Sequence, residues 1–499
     1  MTSSDKPVFP PWLEWELLEE ECKISNPTIG KPLPGVPREI KIWRNEDYKM
    51  KAEISGTATI CLFDFKPEPR TAGKIFQTFE ISGKTEYEVV YDLSGCILGD
   101  ISIQYEPTEL ESSSGTFHTQ LNLERLRMEY QKDKPAAWLT EWFINGIERG
   151  SVLIRPTSRR IGEIYYRGRT EIEVEPKKFE TGWNEEHSVD FSFIRCDDFG
   201  FIIHGVPKSF GPEWSDNIGI EYREDCGGIP DKEKRAVIAE IVSFVLGKHL
   251  LLVGHTSFDA SGFLIEGAAV NPWGDNVRHL SQSANIPPIR IYQEEERGNI
   301  EAILPPLIRK YLELRDKLKL NEVLWRYWIG SELPLGSNIP IMANGIEILT
   351  KYWFKSQKSR SKGIYLPKDE FDSITGEEFE RIGTKLEENP SKEKILNKLK
   401  GGYSMTLTDR LKFFFSEIEL IIGDREQEAI NCRHKMIHSN VLTRDAEIEK
   451  VIRLSYAYRC LFHRTLLKIL GYTGKYIDYS MSGLPEKSID AAVGIDEPQ

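Results

Sequence analysis

Residues 433–438, with the sequence RHKMIH, combine two side chains that suit cleavage of RNA without a metal. A ribose 2′-hydroxyl that attacks its neighbouring phosphate must lose a proton, and the leaving 5′-oxygen must gain one. An imidazole with an ordinary pKa near ~6.5 carries either proton at neutral pH. A guanidinium stays charged and bonds two phosphate oxygens at once. We therefore predict that Arg433 binds the phosphate and that His438 transfers protons.

The spacing of this pair restricts where it can work. On a regular helix, five steps place the two side chains roughly 140° apart and about 7.5 Å along the axis. Ser439, Asn440 and Thr443 follow, which predicts that the helix ends there and that His438 lies at its fraying end. One imidazole cannot be acid and base in the same step, so we expect two copies of the chain to form the site as a homodimer.

Further polar residues accompany the pair, and we expect them to support RNA contact: Asn431, His434, Lys435, Arg459 and His463. The last two are one helical turn apart, and a solvent-exposed helix surface is the favoured interpretation for both. Glu347 lies among apolar helix residues. A solvent-exposed position is the favoured interpretation, and the alternative is that it reaches inward to orient a catalytic side chain. Cys432 is predicted to be a small buried residue.

The charge of the chain is unevenly distributed. Residues 391–480 carry 16 Lys and Arg against 11 Asp and Glu, a net charge of +5, and the whole chain has a net charge of −13, so the remainder has −18. Phosphate contacts supply much of the affinity for RNA, and an acidic surface repels it. The C-terminal region is therefore the better candidate for binding RNA, although solvated helix faces use Lys and Arg in the same way.

Composition limits the class of protein. With 499 residues, of which 40% are hydrophobic and 29% charged, the chain is predicted to form a soluble protein of two or three domains. No apolar run approaches the ~20 residues of a membrane span, and no secretory signal is evident. The 7 scattered cysteines contain no CxxC pair. These features predict a cytoplasmic protein without membrane contact.

Other candidate motifs carry little functional weight. His249 and His255 flank an apolar run, but no ligand cluster completes a metal site, and we expect core or loop histidines. The pairs Gly227-Gly228 and Gly401-Gly402 are isolated turns and not a phosphate loop. We therefore predict no cofactor and no metal.

The periodicity of apolar residues predicts an α+β chain of several domains. Short strand-like runs fill the first half, including 87–91, 161–166 and 189–193, and they predict a β-rich sandwich or barrel. We predict four segments: 1–230, a β-rich sensor or regulatory domain; 231–300, a small mixed α/β section attached to it; 301–485, a helical domain; and 486–499, a disordered acidic tail. A lysine- and glutamate-rich connection around 356–400 interrupts the helical domain.

Three helices are predicted in the C-terminal region, with a further one over residues 231–248. Pro340 suits a first turn, and one face of its helix is predicted to carry Ile341, Gly345, Ile348, Leu349 and Tyr352. The second helix is marked by apolar residues from Leu407 to Ile422. The third begins at an N-cap, Asp445, and runs to Gly471. An antiparallel bundle is the economical packing for them.

The motif and its helical surroundings resemble the HEPN ribonuclease family, whose motif is Arg, a polar residue, and His after a gap of four to six residues. The resemblance covers about residues 320–480. The layout of a β-rich half before this bundle is similar to that of ApeA-like abortive-infection proteins of bacterial antiphage defence. The resemblance implies a dimeric, metal-independent endoribonuclease, with Arg433 and His438 as catalytic residues and His434 at the polar position.

The same resemblance implies a toxin that cuts host RNA, often tRNA, after a cue such as a phage protein reaches the N-terminal domain. Two alternatives remain open. Some family members have lost activity and serve as binding modules, so a catalytically silent interaction protein is one. The aromatic, acidic N-terminal half also allows a carbohydrate-binding or carbohydrate-processing sandwich, because sugars require aromatic faces and paired carboxylates, although aromatics also fill β cores.

Overall fold

The computed structural model contains a β-rich N-terminal half and a helical C-terminal half. The residues that it describes are 18, 22–29, 33–58, 78–85, 87–105, 115–131, 133–147, 153, 155–160, 185–206, 211–260, 263–272, 285–292, 299–356, 363–438 and 445–494. Within these ranges, the side chains of residues 434–438 and 445–447 are among those outside the description.

The chain forms two compact units. The first, called here the β unit, comprises Met1–Ile286 and Ile291–Pro305. The second, the helical unit, comprises Pro287–Arg290 and Pro306–Gln499.

A 14-stranded sheet of antiparallel pairs dominates the β unit. Its strands are β1 (Cys22–Ser25), β2 (Gly35–Arg44), β3 (Met50–Ala58), β4 (Phe79–Lys84), β5 (Val90–Tyr105), β6 (Gly115–Asn122), β7 (Arg125–Glu129), β8 (Trp138–Ile144), β9 (Arg155–Arg160), β10 (Glu185–Arg195), β11 (Gly200–Gly205), β12 (Ile218–Arg223), β13 (Leu251–Phe258) and β14 (Leu264–Val270).

The strands follow one continuous path of hydrogen-bonded neighbours, β1-β2-β3-β6-β5-β7-β14-β13-β8-β12-β11-β10-β9, and β4 pairs with β5. The long strand β5 joins the two parts of the path, because its first half pairs with β7 and its second half with β6. Alternate residues of β3 are buried, including Met50, Ala52 and Ile54, as expected for a strand with one face on a core.

Two of the three predicted strand runs can be compared with this sheet. Residues 189–193 lie within β10, so that prediction is confirmed. The prediction for residues 87–91 is confirmed only in part, because β5 begins at Val90. Residues 87–89 belong to the turn before it, where Glu88 has a φ of 61°. The run 161–166 lies outside the described residues.

Helix α1 (Lys232–Leu246) confirms the helix predicted over residues 231–248. The side chain of Asp231 accepts a hydrogen bond from the backbone N–H of Lys234 at the N-terminus, and Gly247 ends the helix with a φ of 70°. One face of the helix is apolar and buried at 0% exposure, with Ile238, Ile241, Val242 and Val245.

Eight helices of the described chain follow. They are α2 (Ile300–Leu318), α3 (Leu320–Glu332), α4 (Asn338–Lys355), α5 (Lys368–Lys385), α6 (Lys392–Lys400), α7 (Leu407–Glu417), α8 (Asp424–His438) and α9 (Asp445–Ile469). The short strands β15 (Lys475–Ile477) and β16 (Glu486–Ser488) form a separate pair. In the described residues, no helix combines the length and apolar content that a membrane span requires.

Helix α4 is central to the helical unit, because it packs against α3, α7, α8 and α9. Its Pro340 lies in the first turn, as predicted. The predicted face is confirmed in part, since Gly345 and Leu349 are buried. The buried face is rotated toward Met342 and Ile346, whereas the predicted Ile341, Ile348 and Tyr352 are half-buried. Because four helices pack around α4, more of its surface is buried than one apolar face would predict.

Helix α7 is shorter than predicted and ends at Glu417, before the apolar residues Ile418 and Ile422. Helix α9 agrees with its predicted C-terminal end, because it finishes two residues before Gly471, which has a φ of 76°. The predicted cap by Asp445 involves a side chain outside the description.

Two predictions for the C-terminal half are wrong. The connection around 356–400 contains helices α5 and α6, which pack against each other, since their lysines and glutamates are good helix formers. The tail predicted to be disordered from residue 486 forms β16, and Ile489 and Val493 beyond it are buried at 0% exposure. Residues 495–499 lie outside the described chain.

Candidate functional site

The predicted catalytic pair lies on α8, which is helical from Asp424 to His438. The described part of this helix reaches His438, and the helix end predicted there stays a prediction. The side chains of His434, Lys435 and His438 lie outside the described part of the chain, and so do residues 439–444, where the turn was predicted. Of the motif side chains, the structure therefore describes that of Arg433 and the residues that contact it.

Arg433 is buried among α4, α8 and α9. Its side chain is 4% exposed, and its Nε lies 3.6 Å from Oε1 of Glu347 on α4. Glu347 is 30% exposed, so this ion pair is open to solvent on the carboxylate side. Of the two alternatives for Glu347, the inward reach describes its position better than a fully solvated one. A buried guanidinium needs such a partner because an isolated charge is costly to desolvate.

Tyr458 of α9 is the third member of this cluster, which we call the Arg433 cluster: Arg433, Glu347 and Tyr458. Its ring is 1% exposed. Burial raises the pKa of its hydroxyl, with the charge of Arg433 lowering it and that of Glu347 raising it. The hydroxyl therefore stays protonated at neutral pH, as a neutral group beside a buried ion pair. Nothing in the spacing of the sequence singles out Tyr458 in this way.

Arg459 and His463 are not surface residues, so the favoured interpretation of this pair is wrong. Arg459 is 4% exposed and His463 is 0% exposed. The Nε2 atom of His463 lies 2.7 Å from the hydroxyl of Tyr327 on α3. Burial and the charge of Arg459 hold the pKa of His463 well below its ordinary value, so this imidazole is neutral. Within one chain, neither side chain is accessible for contact with RNA.

The burial of these two residues follows from the surroundings of α9. From Ala457 to Leu467 every residue of the helix is buried, which is typical of a helix with neighbours on all sides. The segment after the helix covers one of these sides, where the ring of Tyr479 meets His463 edge-on at 6.2 Å between centroids.

The remaining predicted residues of α8 lie in different environments. Asn431 is exposed, and its Oδ1 accepts a hydrogen bond of 3.2 Å from Nε2 of Gln427. Asn431 is therefore accessible for the predicted contact. Cys432 is buried at 8% exposure, as predicted.

A buried ion pair that sequence analysis missed joins α8 to α9. Arg464 and Glu426 are both 0% exposed, and the guanidinium donates a hydrogen bond from Nη1 to Oε1 of the carboxylate. Arg464 also donates to the backbone oxygens of Ile421 at 3.0 Å and Ile489 at 3.2 Å. Oε2 of Glu426 accepts from the backbone N–H of Gly423 at 2.9 Å. This network attaches the start of α8 to α9 and to the C-terminal segment.

The β unit carries a row of charged side chains across neighbouring strands. Arg127 of β7 donates to Glu266 of β14 at 2.8 Å and lies 3.5 Å from Glu129 and 3.7 Å from Asp92. The Nε2 atom of His255 lies 3.1 Å from Glu266. Burial raises the pKa of Glu266, but the hydrogen bonds from His255 and Arg127 outweigh it and lower that pKa to about 2.

This row bears on the carbohydrate alternative. A glycosidase needs one carboxyl group that is protonated near neutral pH. Glu266 is ionised there, and its neighbouring carboxylates share Arg127 with it. The row therefore resembles a structural ion-pair network more than an acid and base pair.

The two histidines beside the apolar run of β13 are separate. His255 pairs with Glu266, whereas loss of water around the ring lowers the pKa of His249 to about 4. Within the described residues, no group of three or more His, Cys, Asp or Glu side chains is placed to hold a metal ion. Gly227 and Gly228 form a turn with φ values of 96° and 95°, in agreement with their prediction.

Comparisons with models of protein families, with curated proteins and with solved structures find no match for this chain. The likeness to the HEPN family therefore depends on the motif and on the helices that surround it.

Proposed function

We propose that this chain is a metal-independent endoribonuclease of the HEPN type, with Arg433 and His438 as its catalytic residues. The observation that supports it most is the Arg433 cluster. A carboxylate of the central helix α4 lies 3.6 Å from the guanidinium, on the helix that also contains His438. Structural ion pairs of this kind also occur without catalysis, but here the pair involves the motif arginine.

The proposed reaction is a transesterification within the RNA strand. The 2′-oxygen attacks the adjacent phosphorus atom while an imidazole takes its proton. The bond from phosphorus to the 5′-oxygen breaks, and that oxygen receives a proton from a second imidazole. The products carry a 2′,3′-cyclic phosphate and a 5′-hydroxyl. In this scheme Arg433 stabilises the charge on the phosphorane, and Glu347 positions Arg433.

Since the scheme needs two imidazoles, the proposed active form is a homodimer in which two copies of His438 share one site. The burial of His463 limits the candidates for the second imidazole. The helical unit contains three histidines, His434, His438 and His463. His463 is neutral and fully buried, so it is a poor second proton carrier.

The proposed biological setting follows from the resemblance alone. We propose a cytoplasmic toxin of bacterial antiphage defence that cuts host RNA, with tRNA as the expected substrate. In this proposal the β unit is the sensor, and a phage protein that binds it is the trigger.

Purified protein incubated with total tRNA and a chelator tests the activity, with and without extract from infected cells. We expect His438→Ala to lower the rate of cleavage by about 100-fold or more, because it removes a proton carrier. The matched control is His118→Ala, which removes a histidine of the β unit that is 37% exposed and pairs with Glu53. Cleaved ends should be 2′,3′-cyclic phosphates.

Circular dichroism of the His438→Ala variant shows whether it remains folded. Undiminished cleavage by this folded variant would reject the assignment of His438. Arg433→Lys, which keeps the charge but loses the planar fork, should also cleave slowly.

A catalytically silent HEPN bundle is the second candidate, and one observation favours it. Arg433 is 3% exposed in the single chain, which is less than a phosphate-binding arginine usually needs. A silent bundle predicts no RNA cleavage by the wild-type protein under any trigger.

A further inference from the structure

Helices α5 and α6 form a pair with opposite charges. Helix α5 contains 3 Lys and Arg against 6 Asp and Glu, a net charge of −3. Helix α6 contains 4 Lys against 1 Glu, a net charge of +3. Since residues 391–480 have a net charge of +5, this single helix of 9 residues supplies most of the surplus of that region.

Three of the four lysines of α6 face solvent. No residue of this helix is buried, and Lys394, Lys398 and Lys400 are exposed. Its half-buried residues are Lys392 and the apolar Ile395 and Leu396, on the helix that packs against α5. In the described chain, none of the three exposed lysines has a carboxylate within 4.0 Å, although α5 is rich in acids. The cations are therefore available to a ligand.

An exposed aromatic ring lies next to the end of this helix. The backbone N–H of Tyr365 donates to the oxygen of Tyr403 at 2.8 Å, and Ile364 forms a β-bridge with Ser404. These bonds bring Tyr365 to the turn that directly follows Lys400. Its ring is 52% exposed, although large aromatic residues are usually buried.

The ring of Tyr365 is also held in place. Its hydroxyl donates a hydrogen bond of 2.5 Å to Oδ2 of Asp409 at the start of α7. Hydrogen bonds thus hold both the backbone N–H and the hydroxyl of Tyr365, while the face of its ring remains accessible. A rigid exposed aromatic face loses little entropy when a planar ligand stacks on it.

We infer that α6 and Tyr365 form a binding surface for single-stranded RNA, a surface that rests on the proposed function because it would deliver substrate to that enzyme. Lysines beside an accessible aromatic ring are the combination that binds single strands, with phosphates on the cations and a base stacked on the ring. From Lys394 to Lys400 the helix extends about 9 Å, enough for more than one phosphate contact. The acidic α5 repels RNA and so confines the strand to the α6 side.

Fluorescence anisotropy with a labelled single-stranded oligoribonucleotide tests this surface in the full-length chain. An Arg433→Ala background prevents cleavage during the measurement. Neutralising two lysines, K394Q with K398Q, should weaken binding and lower the slope of log affinity against log salt by about 0.7 per lysine. The matched control neutralises Lys317 and Lys475, which are exposed lysines of α2 and β15.

The aromatic part is tested separately. Tyr365→Ala should weaken binding on the order of 10-fold, as expected for the loss of one stacked base, and should leave the salt slope unchanged. Tyr365→Phe keeps the ring and should bind within about 3-fold of the parent. A duplex of the same sequence should bind more weakly than the single strand, because its bases are already stacked.

Two results would overturn the inference: K394Q with K398Q binding RNA with the parent salt slope, or Tyr365→Ala binding as tightly as Tyr365→Phe. Failure of the proposed function gives a different result. In that case wild-type protein leaves RNA uncut while the lysine and tyrosine variants still lose binding.

Discussion

At the scale of single residues, the helical unit is notable for charged and titratable side chains inside its core. Arg433, Arg459, His463 and Arg464 are all less than 5% exposed, and each lies on α8 or α9. Buried cations of this kind persist only with partners, and Glu347 and Glu426 are the carboxylates that lie against Arg433 and Arg464. The helix that carries the motif and the helix that follows it therefore depend on a small number of polar contacts.

His463 makes the stability of the helical unit depend on pH. Its folded pKa lies below its ordinary value of 6.5, because burial and the charge of Arg459 disfavour the imidazolium. Above pH 6.5 both states are neutral and the favourable contribution is complete. As pH falls below 6.5, the unfolded chain takes up a proton that the folded chain excludes, so stability decreases by up to about 1.4 kcal/mol per pH unit.

Urea unfolding at a series of pH values checks this prediction. His463→Gln removes the titrating group and leaves an amide that can still bond to the hydroxyl of Tyr327. Below pH 6.5, the free energy of unfolding of this variant should therefore change less with pH than that of the wild type. Parallel curves for the two proteins would show that other groups cause the dependence.

At the scale of elements, α8 is attached to α9 at two places that differ in burial. The pair Arg464–Glu426 is fully buried, whereas Lys450–Glu428 is 57% and 50% exposed with 2.5 Å between Nζ and Oε1. Both pairs join the same two helices. They therefore form a matched comparison of a buried and an exposed ion pair.

We expect Glu426→Gln to lower the free energy of unfolding by about 3–5 kcal/mol, because it leaves the charge of Arg464 buried without its partner. Glu428→Gln should cost less than about 1 kcal/mol, because water screens the exposed pair. Chemical denaturation of both variants measures the difference. Equal effects would mean that the buried pair does not hold α8 in place.

At the scale of the whole molecule, the proposed activity requires two chains. If two copies of His438 share one site, only dimers of two wild-type chains are active. If each chain has its own complete site, every wild-type chain is active. The two arrangements respond differently to dilution with an inactive subunit.

Co-expression of wild-type chain with an equal amount of His438→Ala distinguishes them. Random pairing should leave about a quarter of the wild-type specific activity for the shared site and about a half for separate sites. Light scattering on the same sample measures the mass of the assembly and confirms that chains have paired. A value near one half, with dimers present, would contradict the shared site.

The sequence alone determined those features that depend on neighbours along the chain. Helix α1 lies within the predicted segment 231–248, Pro340 lies in the first turn of α4, and Gly471 follows the end of α9, because periodicity, caps and breakers act within a few residues. The division into a β-rich and a helical half was likewise evident from local periodicity. The motif itself needed no structure.

Only the tertiary structure decided which side chains lie together. The same periodicity that located α9 assigned Arg459 and His463 to its surface, because it cannot show that the segment around Tyr479 covers that side. The contact between Arg433 and Glu347 joins residues 86 positions apart, and the ordered residues 486–494 depend on contacts such as that of Arg464 with Ile489. Burial and pairing are set by distant parts of the chain, so local patterns do not contain them.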